Sequence, residues 1–355
     1  MLYDNRLWIE DIDKALLPVP EIENVPDGSS IFITGATGLI CSAIVDILFR
    51  FNDTHPDKKI HIYAAGRSME RMRKRFGDMV DRPDFTFISY DATSADNELD
   101  ISPDYIIHGA GNAYPSLVMK EPVETMLGNF LGLKYLLDFS REKKVKRLLY
   151  VSSSEVYGKK EGAEPFREDE YGFVDLLNPR NAYSVGKRAA ETLCISYAAE
   201  YNTDSVIVRP GHIYGPTATE NDSRVSSSWA YDVAYGKDIV LKSDGAQMRS
   251  YCYCLDCASA MLKILFCGAS GHAYNISNPD SIISIREMAQ ILAEIAKVDL
   301  RMEIPTETEK KGFTPMNNSS LDAKSLLELG WFGCFDALTG FDHTVRLLKE
   351  SVICH

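Results

Sequence analysis

The sequence predicts an α/β protein, a doubly wound parallel sheet with a smaller, partly helical second lobe. Three observations predict it. Between residues 30 and about 210, short β-rich runs alternate with longer stretches of helical pattern. The runs are nearly continuously apolar, as strands covered by helices on both faces must be. The first run also passes straight into a turn with two glycines, Thr34-Gly-Ala-Thr-Gly38, which opens the first long helix.

In chain order, strands are placed at Ser30–Thr34, Ile60–Ala64, Phe85–Ser89, Tyr105–His108, Arg147–Ser152 and Ser205–Arg209. Helices are placed between them near 38–51, 69–77, 119–142 and 183–201. A sheet of this kind binds ligands outside the carboxyl ends of its strands. After Gly215-Pro216 the alternation loosens, and a polar loop, Thr217–Arg224, leads to a helix near 225–236. Ser284-Ile-Arg-Glu287 is a capping box that opens a helix through about Lys297. Helices near 322–329 and 341–350 follow. Residues 1–29, with Pro18, Pro20 and Pro26, are expected to form an N-terminal extension. The division is then 30–210 with about 240–265 for the sheet domain, and 211–239 with 266–355 for the second lobe.

Composition bounds the function. The 355 residues are 45% hydrophobic and 25% charged, an ordinary globular balance that excludes a disordered or collagen-like chain. The net charge of −13 argues against non-specific nucleic-acid binding, which needs a basic face. It leaves room for a small anionic substrate held by one or two local arginines. The eight cysteines, at 41, 194, 252, 254, 257, 267, 334 and 354, follow no basic-then-apolar leader. They read as reduced thiols of a cytoplasmic protein. Ile31–Phe49 approaches the roughly 20 residues of a membrane helix. Gly35, Thr37, Gly38 and Ser42 interrupt it where a strand turns into a helix, so no membrane insertion is expected. Cys252-Tyr-Cys-Leu-Asp-Cys257 lacks the fourth ligand and second ligand pair of a zinc site. It reads as buried small hydrophobes, with no metal expected. Lys143-Lys-Val-Lys-Arg147 reads as a solvated helix end.

Gly35 and Gly38 lie where backbone N–H groups at a helix N-terminus could receive a pyrophosphate, which points to a dinucleotide-binding Rossmann domain. Cys41 stands where a third glycine is expected. The second strand ends in Ala64-Ala-Gly-Arg-Ser68, with Arg67 where an NAD site usually offers an acid for the ribose 2′-hydroxyl. Arg67 tilts the cofactor towards NADP without settling the form. Asp91, just past the third strand, is a candidate partner for the adenine amine or a turn cap.

Tyr183-Ser-Val-Gly-Lys187 opens a helix, so the phenol and the ammonium lie four residues apart on one face. A phenol with a pKa near about 10 is a poor base at neutral pH. A nearby ammonium is expected to lower that value, letting the phenol take a proton from a substrate hydroxyl while hydride leaves its carbon. Val151-Ser-Ser-Ser-Glu-Val-Tyr-Gly158 lies at the carboxyl end of a strand, where this fold places its chemistry.

With these residues the chain resembles the extended short-chain dehydrogenase/reductases that modify nucleotide sugars, the NAD-dependent epimerase/dehydratase family. The resemblance extends over Arg209-Pro-Gly-His-Ile-Tyr-Gly-Pro216, Gln247-Met-Arg-Ser-Tyr-Cys-Tyr253 with Asp256, and Leu329-Gly-Trp331. It implies oxidation of the sugar at C4, usually with return of the hydride, and a homodimer built on the helices near 119–142 and 183–201. Ser153-Ser154-Glu155 resembles the dehydratases and decarboxylases more than the epimerases. Asn178-Pro-Arg-Asn-Ala-Tyr183, Gly186-Lys-Arg-Ala-Ala-Glu-Thr192 and Asn221-Asp-Ser-Arg-Val225 are similar to UDP-glucuronate decarboxylases. Decarboxylation is the leading reading, ahead of 4-epimerisation, 4,6-dehydration and keto-sugar reduction. A non-catalytic dinucleotide sensor is the alternative outside enzymes, and such proteins typically lose the Tyr or the Lys.

By resemblance, Ser153, Glu155, Tyr183 and Lys187 are the catalytic candidates, and Ser154, Arg224 and Arg249 would contact substrate. The NAD(P) cofactor would lie against Gly35, Thr37, Gly38, Leu39, Ile40, Arg67, Asp91, Ala92, Ala110, Tyr183, Lys187, Gly211 and His212. His212 replaces a substrate-contacting Asn of the family and is divided between a substrate-lining and a structural role. His108-Gly-Ala-Gly111 replaces the more usual His-x-Ala-Ala.

Overall fold

The computed structural model describes residues 1–94, 97–111, 115–303 and 318–353. Its strands are β1 (Ser30–Thr34), β2 (His61–Gly66), β3 (Phe85–Ser89), β4 (Tyr105–His108), β5 (Arg147–Val151), β6 (Ser205–Pro210) and β7 (His212–Tyr214). They continue with β8 (Ile239–Leu241), β9 (Met248–Tyr253), β10 (Ala273–Ile276), β11 (Ile282–Ser284), β12 (Leu300–Met302) and β13 (Asn318–Ser319). The helices are α1 (Arg6–Leu16), α2 (Leu39–Thr54), α3 (Met69–Phe76), α4 (Pro115–Lys120), α5 (Pro122–Lys143) and α6 (Ala182–Tyr201). After them come α7 (Val225–Ala234), α8 (Cys254–Cys267), α9 (Ile285–Ala296), α10 (Lys324–Glu328) and α11 (Ala337–Ile353).

Seven strands form one sheet in the order β10-β6-β5-β4-β1-β2-β3, and every pairing in it is parallel. Side chains alternate between the faces of each strand. Ile31 and Ile33 join one core with α1, α2 and α8, while Phe32, Ile106 and Leu148 join a second core with α5 and α6. The expected doubly wound sheet is therefore present. Its strand order reverses between β1 and β4, and the crevice outside their carboxyl ends is where such folds bind ligands.

The element limits differ from expectation in understandable places. The helix expected from 119 begins at Pro122, whose missing N–H costs nothing at a first helical position, and α4 is a separate turn before it. The strand at 273–276, inside the stretch read as second lobe, pairs in parallel with β6 and forms an edge of the central sheet. β9, inside the stretch read as returning to the sheet domain, lies in another sheet beside β7, β11 and β13. The capping box forms: the Ser284 N–H donates to Glu287 at 2.7 Å, and the Glu287 N–H donates to the Ser284 hydroxyl at 3.1 Å.

The N-terminal extension packs firmly. Trp8, Ile12 and Ala15 on α1 are fully buried in the core that holds α2 and α8. The Trp8 indole donates to Asp46 of α2 at 2.9 Å, and the Arg75 guanidinium adds a second bond to that carboxylate. Asp11, also fully buried, receives the Tyr253 hydroxyl and faces His343 of α11, so the two ends of the chain meet over one carboxylate. Cys252, Cys254 and Cys257 are fully buried, and Cys354 lies outside the described residues. Among the described residues no helix is long and apolar enough to cross a membrane.

Candidate active site

At the end of β1 the backbone turns at Gly35 with φ of +70°, a conformation that favours glycine. A Cβ on Gly35 would also lie 3.0 Å from the Ala110 backbone, so the turn rests directly on the segment after β4. Gly38 is the N-cap of α2 and offers no side chain, and the first turn of α2 carries no acid. Its N–H groups are thus left for an anion, as a pyrophosphate requires. Thr37 and Ile40 are half-buried along this turn, and the Leu39 carbonyl is fixed by the Thr217 hydroxyl at 2.7 Å. The cradle fits a dinucleotide.

Cys41, standing where a third glycine is expected, is accommodated from the segment after β4. A Cβ on Gly109 would lie 2.3 Å from the Cys41 sulfur. The side-chain space a third glycine would have left at position 41 is supplied from across the crevice, at 109.

At the adenosine end, Arg67 follows β2 and is exposed. Asp91 accepts the Thr93 N–H at 3.0 Å and the Thr93 hydroxyl at 2.8 Å. Burial pushes its carboxyl up, but these two bonds and the Arg67 charge outweigh it and hold the group below the usual range. Ala92 is buried under α5, where a Cβ on Gly132 would lie 2.7 Å from its carbonyl. The Ala110 N–H donates to the Thr34 hydroxyl at 3.2 Å, and Thr34 also bonds His108 Nδ1 at 2.8 Å. Gly211 lies against the Ser250 carbonyl, and a Cβ there would come within 2.5 Å of its oxygen.

The strand end at 151–157 meets α6 along a single stripe. Ser184 reaches Glu155 at 3.3 Å, the Lys187 ammonium donates to the Val151 carbonyl at 2.6 Å, and Arg188 donates to the Val156 carbonyl at 2.6 Å. The Ser152 hydroxyl donates to Glu191 at 2.5 Å. Positions 184, 187, 188 and 191 are spaced as one helix face must be. Behind them, buried Arg209 bonds Glu191 at 2.7 and 3.0 Å. Arg188, Glu191 and Arg209 were not singled out from the sequence, although the polar spacing after Lys187 was visible in it.

Ser153 and Tyr183 come together, with Glu155 and Arg224 in electrostatic reach of the phenol. The Lys187 ammonium lies 5.7 Å from the centre of the Tyr183 ring and 4.7 Å from that of Tyr150. The expectation that Lys187 lowers the Tyr183 pKa is not met in the ligand-free protein. Burial, helped by Glu155, pushes the phenol up to about 12, against Ser153 and Arg224. Burial likewise brings Lys187 down to about 7, against the opposing pull of Glu191. The physical reason is desolvation, which disfavours the charged form of both groups.

On the sugar side, Ser154 is buried and Arg249, on β9, is 4% exposed, its guanidinium donating to the Met248 carbonyl at 2.8 Å. Arg224 is held by buried Asp222 through its Nε at 2.9 Å. His212 packs edge-on to Tyr251, with ring centres 5.8 Å apart. Burial, then the charges of Arg249 and Arg224, bring its imidazole down to about 3. Its Nδ1 is buried without a partner among the described residues. Two guanidiniums beside a neutral imidazole with an unused nitrogen favour an anion.

A helix-terminus anion cradle on one wall of a switch-point crevice, with a Tyr–Lys pair on the other, defines a dinucleotide-dependent enzyme. The profile of the NAD dependent epimerase/dehydratase family matches residues 31–277, and the chain belongs to that family. It is 28% identical over 301 residues to UDP-glucuronic acid decarboxylase 6 of Arabidopsis thaliana, an alignment covering 85% of this chain and 83% of that protein. It superposes on a dTDP-glucose 4,6-dehydratase from Streptomyces venezuelae, solved with NAD bound, with a TM-score of 0.77 and 22% identity over 90% of this chain and 97% of that one. A UDP-glucuronic acid 4-epimerase from Bacillus cereus, solved with UDP-glucuronic acid and NAD, gives a TM-score of 0.73 and 21% identity, over 91% and 99% of the two chains. The protein is an NAD(P)-dependent enzyme of this family.

Two outcomes follow from the geometry. Gly109→Ala should lower the urea-unfolding free energy by about 1–3 kcal/mol through overpacking. Combining it with Cys41→Ala, which removes the sulfur it would meet, should cost less than the sum of the two single changes. Lys187 has a folded pKa of about 7, below its unfolded value of about 10.4, so the unfolded chain holds more proton between those values. Its contribution to the stability of the ligand-free protein should therefore rise with pH across that window. Urea titrations of the protein and of Lys187→Met should show any advantage of the variant shrinking from pH 7 towards pH 10.

Proposed function

We propose that the enzyme oxidises UDP-glucuronate at C4 and releases CO₂ from the resulting β-keto acid. The observation that carries this reading is the strand end itself. Next to Tyr183 it presents Ser153, buried Ser154 and Glu155. A 4,6-dehydratase needs a donor for a departing hydroxyl, commonly a carboxylic acid where this chain has Ser154. Loss of CO₂ needs none, because the 4-keto group takes up the electrons of the broken C5–C6 bond. The named Arabidopsis relative supports the same choice.

The residues act in a definite order. Arg249 and Arg224, with His212, hold the diphosphate, where planar forks suit phosphate oxygens. Ser153 hydrogen-bonds the 4-oxygen and Tyr183 removes its proton. Burial raises the Tyr183 pKa, so the phenol must first release its own proton to solvent before it can accept the one from the 4-hydroxyl. Lys187 holds the nicotinamide ribose and stabilises the phenolate as it forms. Glu155 handles the proton that replaces CO₂ at C5. The backbone at Gly35, Thr37, Gly38, Leu39 and Ile40 binds the pyrophosphate, with Asp91 and Ala92 beside the adenine, and Ala110 and Gly211 lining the nicotinamide end. A dinucleotide held there would supply the acceptor for the C4 hydride and the source for its return.

The reading includes a cytoplasmic homodimer. α5 exposes Val123, Met126, Leu127 and Leu131 at helical spacing, and α6 adds Ile195, an apolar stripe suited to a second copy of the same pair of helices.

Mass spectrometry of UDP-glucuronate incubated with the enzyme and NAD or NADP checks the proposal. A UDP-pentose lacking CO₂ is expected, and Tyr183→Phe should lower its rate about 100-fold or more. An unchanged mass with inverted C4 configuration by NMR would replace the reading with 4-epimerisation. Turnover only of neutral nucleotide hexoses would overturn the glucuronate assignment.

A further inference from the structure

The segment Arg67-Ser-Met-Glu-Arg-Met-Arg-Lys-Arg75 carries five cations and one acid on a protein with a net charge of −13. Two of the cations are paired with acids of the protein. Arg73 holds Asp81 through both terminal nitrogens at 2.8 Å, and Arg75 is bonded to buried Asp46. The side chains of Arg67, Arg71 and Lys74 are exposed and form no hydrogen bond or ion pair with a described residue.

Arg67 is placed by the fold. The Ala36 N–H of the glycine turn donates to the Ala65 carbonyl at 3.1 Å, which docks the pyrophosphate cradle against the end of β2. Arg67 begins the next segment, and Ser68 caps α3 by accepting the Arg71 N–H at 3.2 Å. A hydroxyl that accepts still has its own proton to donate. Position 67 therefore offers no acid to a ribose 2′-hydroxyl. The nearby Asp91 carboxylate accepts both polar groups of Thr93 on its Oδ1 and faces Arg67. Glu70, the one acid of the segment, is exposed on the first turn of α3.

We propose that this corner is a 2′-phosphate site, in which the Arg67 guanidinium and the Ser68 hydroxyl bind the phosphate, Arg71 adds charge, and the enzyme selects NADP(H) over NAD(H). The inference rests on the dinucleotide reading of the crevice and is independent of which sugar is turned over. A dianionic phosphate matches a planar guanidinium fork better than it matches any other single side chain.

Calorimetric titration of the full chain with NADP⁺ and with NAD⁺ tests it, with adenosine 2′,5′-bisphosphate and AMP as fragments that isolate this corner. NADP⁺ is expected to bind about tenfold tighter or more, a difference of about 1.4 kcal/mol. The bisphosphate should show the same preference over AMP, and added salt should weaken the phosphorylated ligands more. Arg67→Ala should remove most of the preference, and Arg67→Asp should reverse it by placing an acid at the 2′-hydroxyl. Equal or tighter binding of NAD⁺, or a preference that survives both substitutions, would overturn the 2′-phosphate site while leaving the dinucleotide reading intact. Binding of neither dinucleotide would overturn both.

Discussion

Everything the crevice can do depends on one face of α6. Ser184, Lys187, Arg188 and Glu191 lie on that face, and each bonds the strand end between residues 151 and 157. The Val151 carbonyl at the carboxyl end of β5 accepts from Lys187, and the Val156 carbonyl, in the short 3-10 turn after it, accepts from Arg188. Residue Glu191 is itself locked by Arg209 from β6, with the pair almost completely buried. Removing one member of such a pair would leave a buried charge without compensation, at a cost of about 3–5 kcal/mol. The helix cannot slide or rotate relative to β5 without breaking several of these bonds together, so Tyr183 and Ser153 keep their distance. The catalytic groups are positioned by polar contacts rather than by shape alone.

The same burial that makes this clamp strong makes the site electrostatically unsettled. His108, Tyr183, Lys187 and His212 are all moved toward their neutral forms. Tyr150 has a buried hydroxyl, and His108 and His212 each a buried ring nitrogen, with no partner among the described residues. Unmatched polar groups in a dry crevice are expensive unless a ligand answers them. A dinucleotide and a nucleotide diphosphate would bring anionic oxygens and hydroxyls to this region.

Much of the sheet was readable from sequence because a doubly covered strand is apolar throughout and has sharp polar ends. β1, β3 and β4 coincide with the stretches chosen from residues alone. β10 did not stand out, since its Ala-Tyr-Asn-Ile run is short and its pairing with β6 joins residues about 65 positions apart in the chain. The packing of α1 was hidden by the three prolines that follow or flank it, although Trp8, Ile12 and Ala15 have helical spacing. In the site, the glycine turn and the Tyr–Lys spacing were legible as local motifs. The exchange of space between Cys41 and Gly109 was not, because it couples residues from two different strand ends. The pKa reversal of Tyr183 and Lys187 was illegible for a related reason: spacing on a helix says which groups meet, while burial decides which of them keeps its charge.

The central claim is that this clamped site takes hydride from C4 of a uronic acid and gives it back. Rapid mixing of the cofactor-loaded enzyme with UDP-glucuronate, followed by the near-ultraviolet absorbance of reduced nicotinamide, addresses it directly. Reduced nicotinamide should rise and then fall within a turnover, in step with release of CO₂. Consumption of the nucleotide sugar with no reduced nicotinamide at any time would contradict it.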